Sequence, residues 1–69
     1  MDQTVDHEQL WAELLKLREE HADLDAAVEA LERARFSDRL QVQRLKKRKL
    51  QVKDRIRHLE DILIPDISA

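Results

Sequence analysis

The sequence predicts an all-α protein: an antiparallel two-helix hairpin of coiled-coil type that associates into a helical bundle. Three observations lead there. The 69 residues include no glycine and one proline, so the chain lacks the residues that most readily hold tight turns or phosphate-cradling loops. Apolar residues step through both halves by fours and threes, the repeat of a coiled-coil seam. The formal net charge of -2 conceals two halves of opposite sign: residues 1–35 hold ten acids and four bases, residues 36–69 five acids and nine bases.

The first helix is predicted over about residues 6–34, with Asp6 as its cap and Gln9 three residues on. Its seam runs Leu10, Leu14, Leu17, His21, Leu24, Val28, Leu31, interrupted only by His21. Continuing that spacing places Arg35 and Asp38 at successive seam positions before Val42 and Leu45 resume it. Burying two unpaired charges is costly, so a turn is predicted at about 35–38, where both become solvated. The second helix follows over about 39–63, capped by Ser37 or by Asp38 with Gln41 three after it. Its seam is Val42, Leu45, Lys49, Val52, Ile56, Leu59, Leu63, with Lys49 as the polar intruder. Pro65 disfavours helical dihedrals at Ile64, leaving residues 64–69 as an extended tail of this single domain.

Opposite charge selects the antiparallel orientation. Folding at Phe36 and Ser37 layers Leu31 with Val42, Val28 with Leu45, Leu24 with Lys49, His21 with Val52, Leu17 with Ile56, Leu14 with Leu59, and Leu10 with Leu63. In this register the predicted flanking pairs are Glu32 with Arg39, Asp25 with Lys46, Glu20 with Arg55, and Arg18 with Glu60. Two continuous helices in a domain-swapped dimer make the same contacts, so the register alone leaves hairpin and swapped dimer as alternatives.

His21-Ala22-Asp23-Leu24-Asp25, followed by the run Leu45-Lys46-Lys47-Arg48-Lys49-Leu50-Gln51-Val52-Lys53-Asp54-Arg55-Ile56, resembles the YdcH family of small bacterial proteins of unknown function. The resemblance covers about residues 10–69, including Pro65-Asp66-Ile67. It implies a helical hairpin and a bacterial source, and it carries over no catalytic residue. Arg55 departs from the pattern, since many relatives have an acid there.

Chain length bounds the function classes. Domains below about 70 residues rarely build a self-sufficient core, which makes a homo-oligomer the expected state. With no cysteine there is no disulfide framework or thiolate metal site. Asp2, Asp6 and Glu8 occupy the region where an export signal needs positive charge. The longest aliphatic run, Ile62-Leu63-Ile64, falls far short of the ~20 residues that cross a bilayer. A cytoplasmic protein without membrane partners is therefore expected.

The chemistry-bearing residues support neither an enzyme nor a cofactor. His7 and His21 lie two heptads apart, about 21 Å along a helix, and His58 is on the outer face, so no metal site is expected. Ser37 and Ser68 have no histidine placed as a base, and a two-helix hairpin encloses no pocket for a small-molecule substrate. His21 and Lys49 read as polar seam residues that fix register, as a buried asparagine does in coiled coils. Trp11, Leu15, Ala22, Ala26 and Ala30 form a second strip beside the seam, with Leu50 and Ile62 also off it, and such strips mark association surfaces. Arg44, Lys46, Lys47 and Lys53 point outward from a basic segment able to neutralise phosphates, but no aromatic lies among them to stack on bases. The expected function is thus a small non-enzymatic interaction or adaptor protein that self-associates and binds a protein partner. The alternative is a weak, salt-dependent RNA or DNA binder acting through the second helix.

Overall fold

The computed structural model describes residues 6–36 and 38–64. These form two helices, α1 over His7–Arg33 and α2 over Arg39–Leu63, packed against each other as a hairpin. Asp6 is not the first helical residue but the cap: its backbone is extended, at φ -82° and ψ 94°, and its Oδ1 accepts from the Gln9 N–H at 3.2 Å. A capping side chain must fold back over the first turn, and helical dihedrals at the same residue would prevent that.

The connection is made without any positive φ among the described residues. Ala34 becomes extended (φ -67°, ψ 142°) while its N–H still donates to the Leu31 carbonyl at 3.2 Å, so α1 stops at Arg33. Between the two candidate caps, Asp38 takes the role. Its Oδ1 accepts from Leu40 N–H at 2.9 Å and Gln41 N–H at 3.2 Å. Ser37 lies outside the described residues. An extended residue before α2 and a carboxylate at its positive end replace the missing glycine. Both Arg35 and Asp38 are exposed in this connection, which removes the two charges from the seam.

At the other end Ile64 leaves the helical region (φ -132°, ψ 71°), and its N–H donates to the Glu60 carbonyl at 2.7 Å. The remaining extended tail, Pro65 to Ala69, lies outside the described residues.

The seam is the core. Leu14 and Leu59 are fully buried, Val52 is 1% exposed and Val28 5%. Every other seam position of both helices is half-buried, His21 and Lys49 included. The two most deeply buried leucines are the pair the register puts in one layer, so the antiparallel alignment centres its best packing near the open end of the hairpin.

Candidate interaction surface

Five ion pairs among the described residues join α1 to α2 and define two flanks of the seam. On one flank Arg18 meets Glu60 at 2.9 Å and Glu32 meets Lys46 at 2.8 Å. On the other, Glu13 meets Arg55 and Glu20 meets Arg48, both at 2.9 Å. The fifth, Asp25 with Lys49, reaches into the seam itself.

Of the predicted pairs, Arg18 with Glu60 is present and the other three are corrected. Glu32 takes Lys46 rather than Arg39, Asp25 takes Lys49 rather than Lys46, and Glu20 takes Arg48, leaving Arg55 to Glu13. The two ion pairs on each flank share one axial offset, although on the first flank the intermediate step, Asp25 with Lys53, is replaced by Asp25 with Lys49. A step of two heptads up α1 and two down α2 carries Arg18–Glu60 to Glu32–Lys46; a step of one carries Glu13–Arg55 to Glu20–Arg48. The predicted set mixed offsets, and the offset that pairs Asp25 with Lys46 sets Arg18 against Lys53, a like-charge contact. Likewise, the offset pairing Glu20 with Arg55 sets Glu13 against Ile62 and Ala27 against Arg48, wasting two charges.

Hydrogen bonding reinforces these contacts. Arg55 and Arg48 each place two N–H groups on the two oxygens of one carboxylate, on Glu13 and Glu20 respectively. Such forked bonds fix geometry better than a point charge. The Arg55 hydrogen bond, helped by its charge and opposed by partial desolvation, holds the Glu13 carboxyl below the usual carboxylate range. Lys49 does the same to Asp25, mainly through its hydrogen bond and then its charge. In turn Glu20 raises Arg48, and Glu13 raises Arg55, above the ordinary guanidinium value.

Lys49 therefore lies half-buried in the seam with its ammonium anchored on Asp25. His21 is half-buried too, but its Nε2 is buried with no hydrogen-bond partner. The basic residues singled out from sequence separate. Lys46 is engaged by Glu32 rather than free to point outward. Arg44, Lys47 and Lys53 are exposed and make no ion pair among the described residues.

The apolar strip separates as well. Trp11, 39% exposed, and Leu15, 59% exposed, lie with exposed Ala22 toward the Arg18–Glu60 flank. Their heptad phase puts Leu50, 61% exposed, on that same side of α2 and level with Ala22. Ala26 and Ala30 are exposed but turn onto the outer surface of α1, and Ile62 faces the opposite flank. At the hairpin tip Phe36 is 90% exposed, with the Arg35 guanidinium 5.8 Å from its ring centre. Phe36 lies outside the phase of the seam, in agreement with its exposure.

Among the described residues no group of three or more histidine or acidic side chains is arranged to hold a metal ion, and no helix is long and apolar enough to cross a membrane. A family model described as a protein of unknown function, DUF465, matches residues 14–60, more than half of the chain. No curated protein and no solved structure matches.

Proposed function

Because the chain belongs to the DUF465 family of proteins of unknown function, the family that includes the YdcH-like proteins it resembles, we propose its role from its own surface: a non-enzymatic coiled-coil module that self-associates and presents the assembled face to a protein partner. One observation carries this reading. Trp11, Leu15 and Leu50 remain exposed on the same flank of a hairpin in which, among the described residues, four hydrophobic side chains are buried. Two helices cannot enclose more than one seam, and large apolar residues beside that seam gain by covering one another in a second copy. Exposed Ala22, level with Leu50, leaves room for close approach of a neighbouring helix.

Sedimentation equilibrium over a concentration series tests self-association. The expected result is a reversible monomer–oligomer equilibrium that Leu15→Glu shifts to monomer with helicity retained. A strictly monomeric wild-type chain at high micromolar concentration contradicts the reading.

The nucleic-acid alternative draws on Arg39, Arg44, Lys47, Lys53 and Arg57, which are exposed outside the ion-pair ladder. Against it, four bases of the same helix are spent on carboxylates of α1. Binding of labelled RNA and duplex DNA at low and physiological salt decides it, since phosphate neutralisation predicts a steep loss with added salt.

A further inference from the structure

The ion-pair ladder leaves a specific remainder. Lys46, Arg48, Lys49 and Arg55 are engaged by acids of α1, whereas Lys53 and Arg57 have no ion pair among the described residues and stand one helical turn apart. Both line a groove between the helices together with Arg18, His21, Ile56 and Glu60. Glu60 is the only acid there, and Arg18 already bonds it at 2.9 Å. The groove thus holds two uncompensated cations beside an imidazole whose buried Nε2 has no partner. The groove on the opposite flank has the reverse character, with Glu13, Glu19, Glu20 and Asp23 around a single Lys16. Of the exposed bases of α2 outside the ladder, Lys53 and Arg57 are the two that line this groove.

We propose that the Arg18–His21–Lys53–Arg57 groove binds a doubly charged phosphate group, as inorganic phosphate or a phosphomonoester. Arg57 offers two N–H groups in the planar fork that matches two phosphate oxygens, and Lys53 supplies a compact second charge. His21, in the tautomer protonated at Nε2, adds a neutral donor to an oxygen. Nε2 lies below the groove surface, so contact requires the exposed Lys53 and Arg57 side chains to shift, which their long flexible stems permit. A dianion neutralises both free cations; a carboxylate or phosphodiester neutralises one. That difference selects the phosphomonoester. The groove shares the Arg18–Glu60 flank with the apolar residues that carry the proposed association, but Lys53 and Arg57 are not among those residues.

The test is a titration of the full chain with inorganic phosphate at constant ionic strength, followed by backbone amide and imidazole C–H resonances. Saturable shifts at His21, Lys53 and Arg57 are expected, with a Kd on the order of 1 mM or tighter. Lys53→Gln with Arg57→Gln should weaken binding at least about tenfold, a loss of about 1.4 kcal/mol, with helicity unchanged, while Lys47→Gln has no effect. His21→Phe should weaken binding without removing it. Glycerol phosphate should bind more tightly than dimethyl phosphate. Shifts that never saturate, an equal loss from Lys47→Gln, or equal affinity for the monoester and the diester would each overturn the proposal. Self-association measured on the same double variant, beside its phosphate titration, shows separately which of the two readings fails.

Discussion

Arg55 grips Glu13 across 42 positions of sequence, its Nε 2.9 Å from Oε2 and its Nη2 3.2 Å from Oε1. Arg48 repeats the grip on Glu20, one heptad nearer the turn. Two forked contacts in the same flank fix the axial offset of the helices as well as their orientation, because slippage by one heptad would leave an arginine or a carboxylate of the pair without a partner.

Acid should loosen the hairpin through the carboxylates that these contacts depress. Glu13 and Asp25 are both held below the usual range. Their contribution to stability is therefore present in full above the ordinary carboxylate pKa of about 4 and is lost as the pH falls through their lowered folded values. Melting followed by circular dichroism should show a drop in Tm only below about pH 4 from these groups. Glu13→Gln with Asp25→Asn should flatten that part of the profile. A profile unchanged by the double variant would show that the two pairs are not maintained in solution.

Leu14→Ala removes a side chain that is fully buried. Such truncations cost about 2–5 kcal/mol, comparable to the whole stability of a domain this small, so the chain should lose most of its helicity at room temperature. Leu40→Ala, at a position 53% exposed, should stay within about 0.5 kcal/mol of wild type. Equal effects of the two substitutions would contradict the seam described above.

Asp38 caps the start of α2. Its carboxylate accepts two backbone N–H bonds, and loss of a helix cap of this type costs about 1 kcal/mol. Asp38→Ala should lower Tm measurably, while Asp38→Asn, which keeps an acceptor oxygen, should recover most of the loss. If the two variants melt together, the cap is not what starts the helix.

At His21 the expected sign is reversed. An imidazole in the seam with an unpartnered buried nitrogen weakens packing, so His21→Leu should raise Tm. If His21 specifies register, the same variant should populate additional oligomers, as apolar replacement of a polar seam residue does in coiled coils. Sedimentation velocity reads the distribution. A more stable variant with the wild-type distribution of species would remove the register role, and a less stable one would mean that the imidazole has a partner in solution.

The hairpin was legible because its determinants are local or periodic. The fours and threes from Leu10 to Leu31 and from Val42 to Leu63 identify the seam, and each of those positions is buried or half-buried. Asp6 and Asp38 announce the helix starts through a chemistry that reaches only three residues. The polarity split between residues 1–35 and 36–69 sets the antiparallel direction, since charge sums survive ignorance of detail. Legibility stopped at the flanks. Arg18–Glu60 was readable and Glu20–Arg48 was not, because long side chains offer Glu20 and Glu32 two bases each, one heptad apart, and choosing between them requires the offset that the pairs of a flank share.

Sequence by itself thus determined the two helices, the cap of the first, the seam and the direction of the fold, all of which follow from backbone preference, periodic apolarity and net charge. Only the tertiary structure decided which cations are spent and which are left. Lys46 is consumed by Glu32, while Lys53 and Arg57 remain unpaired among the described residues in the groove they line with His21, whose buried Nε2 has no hydrogen-bond partner. The reason is physical: a side-chain contact depends on rotation and axial offset between two helices, and neither is encoded at any one position.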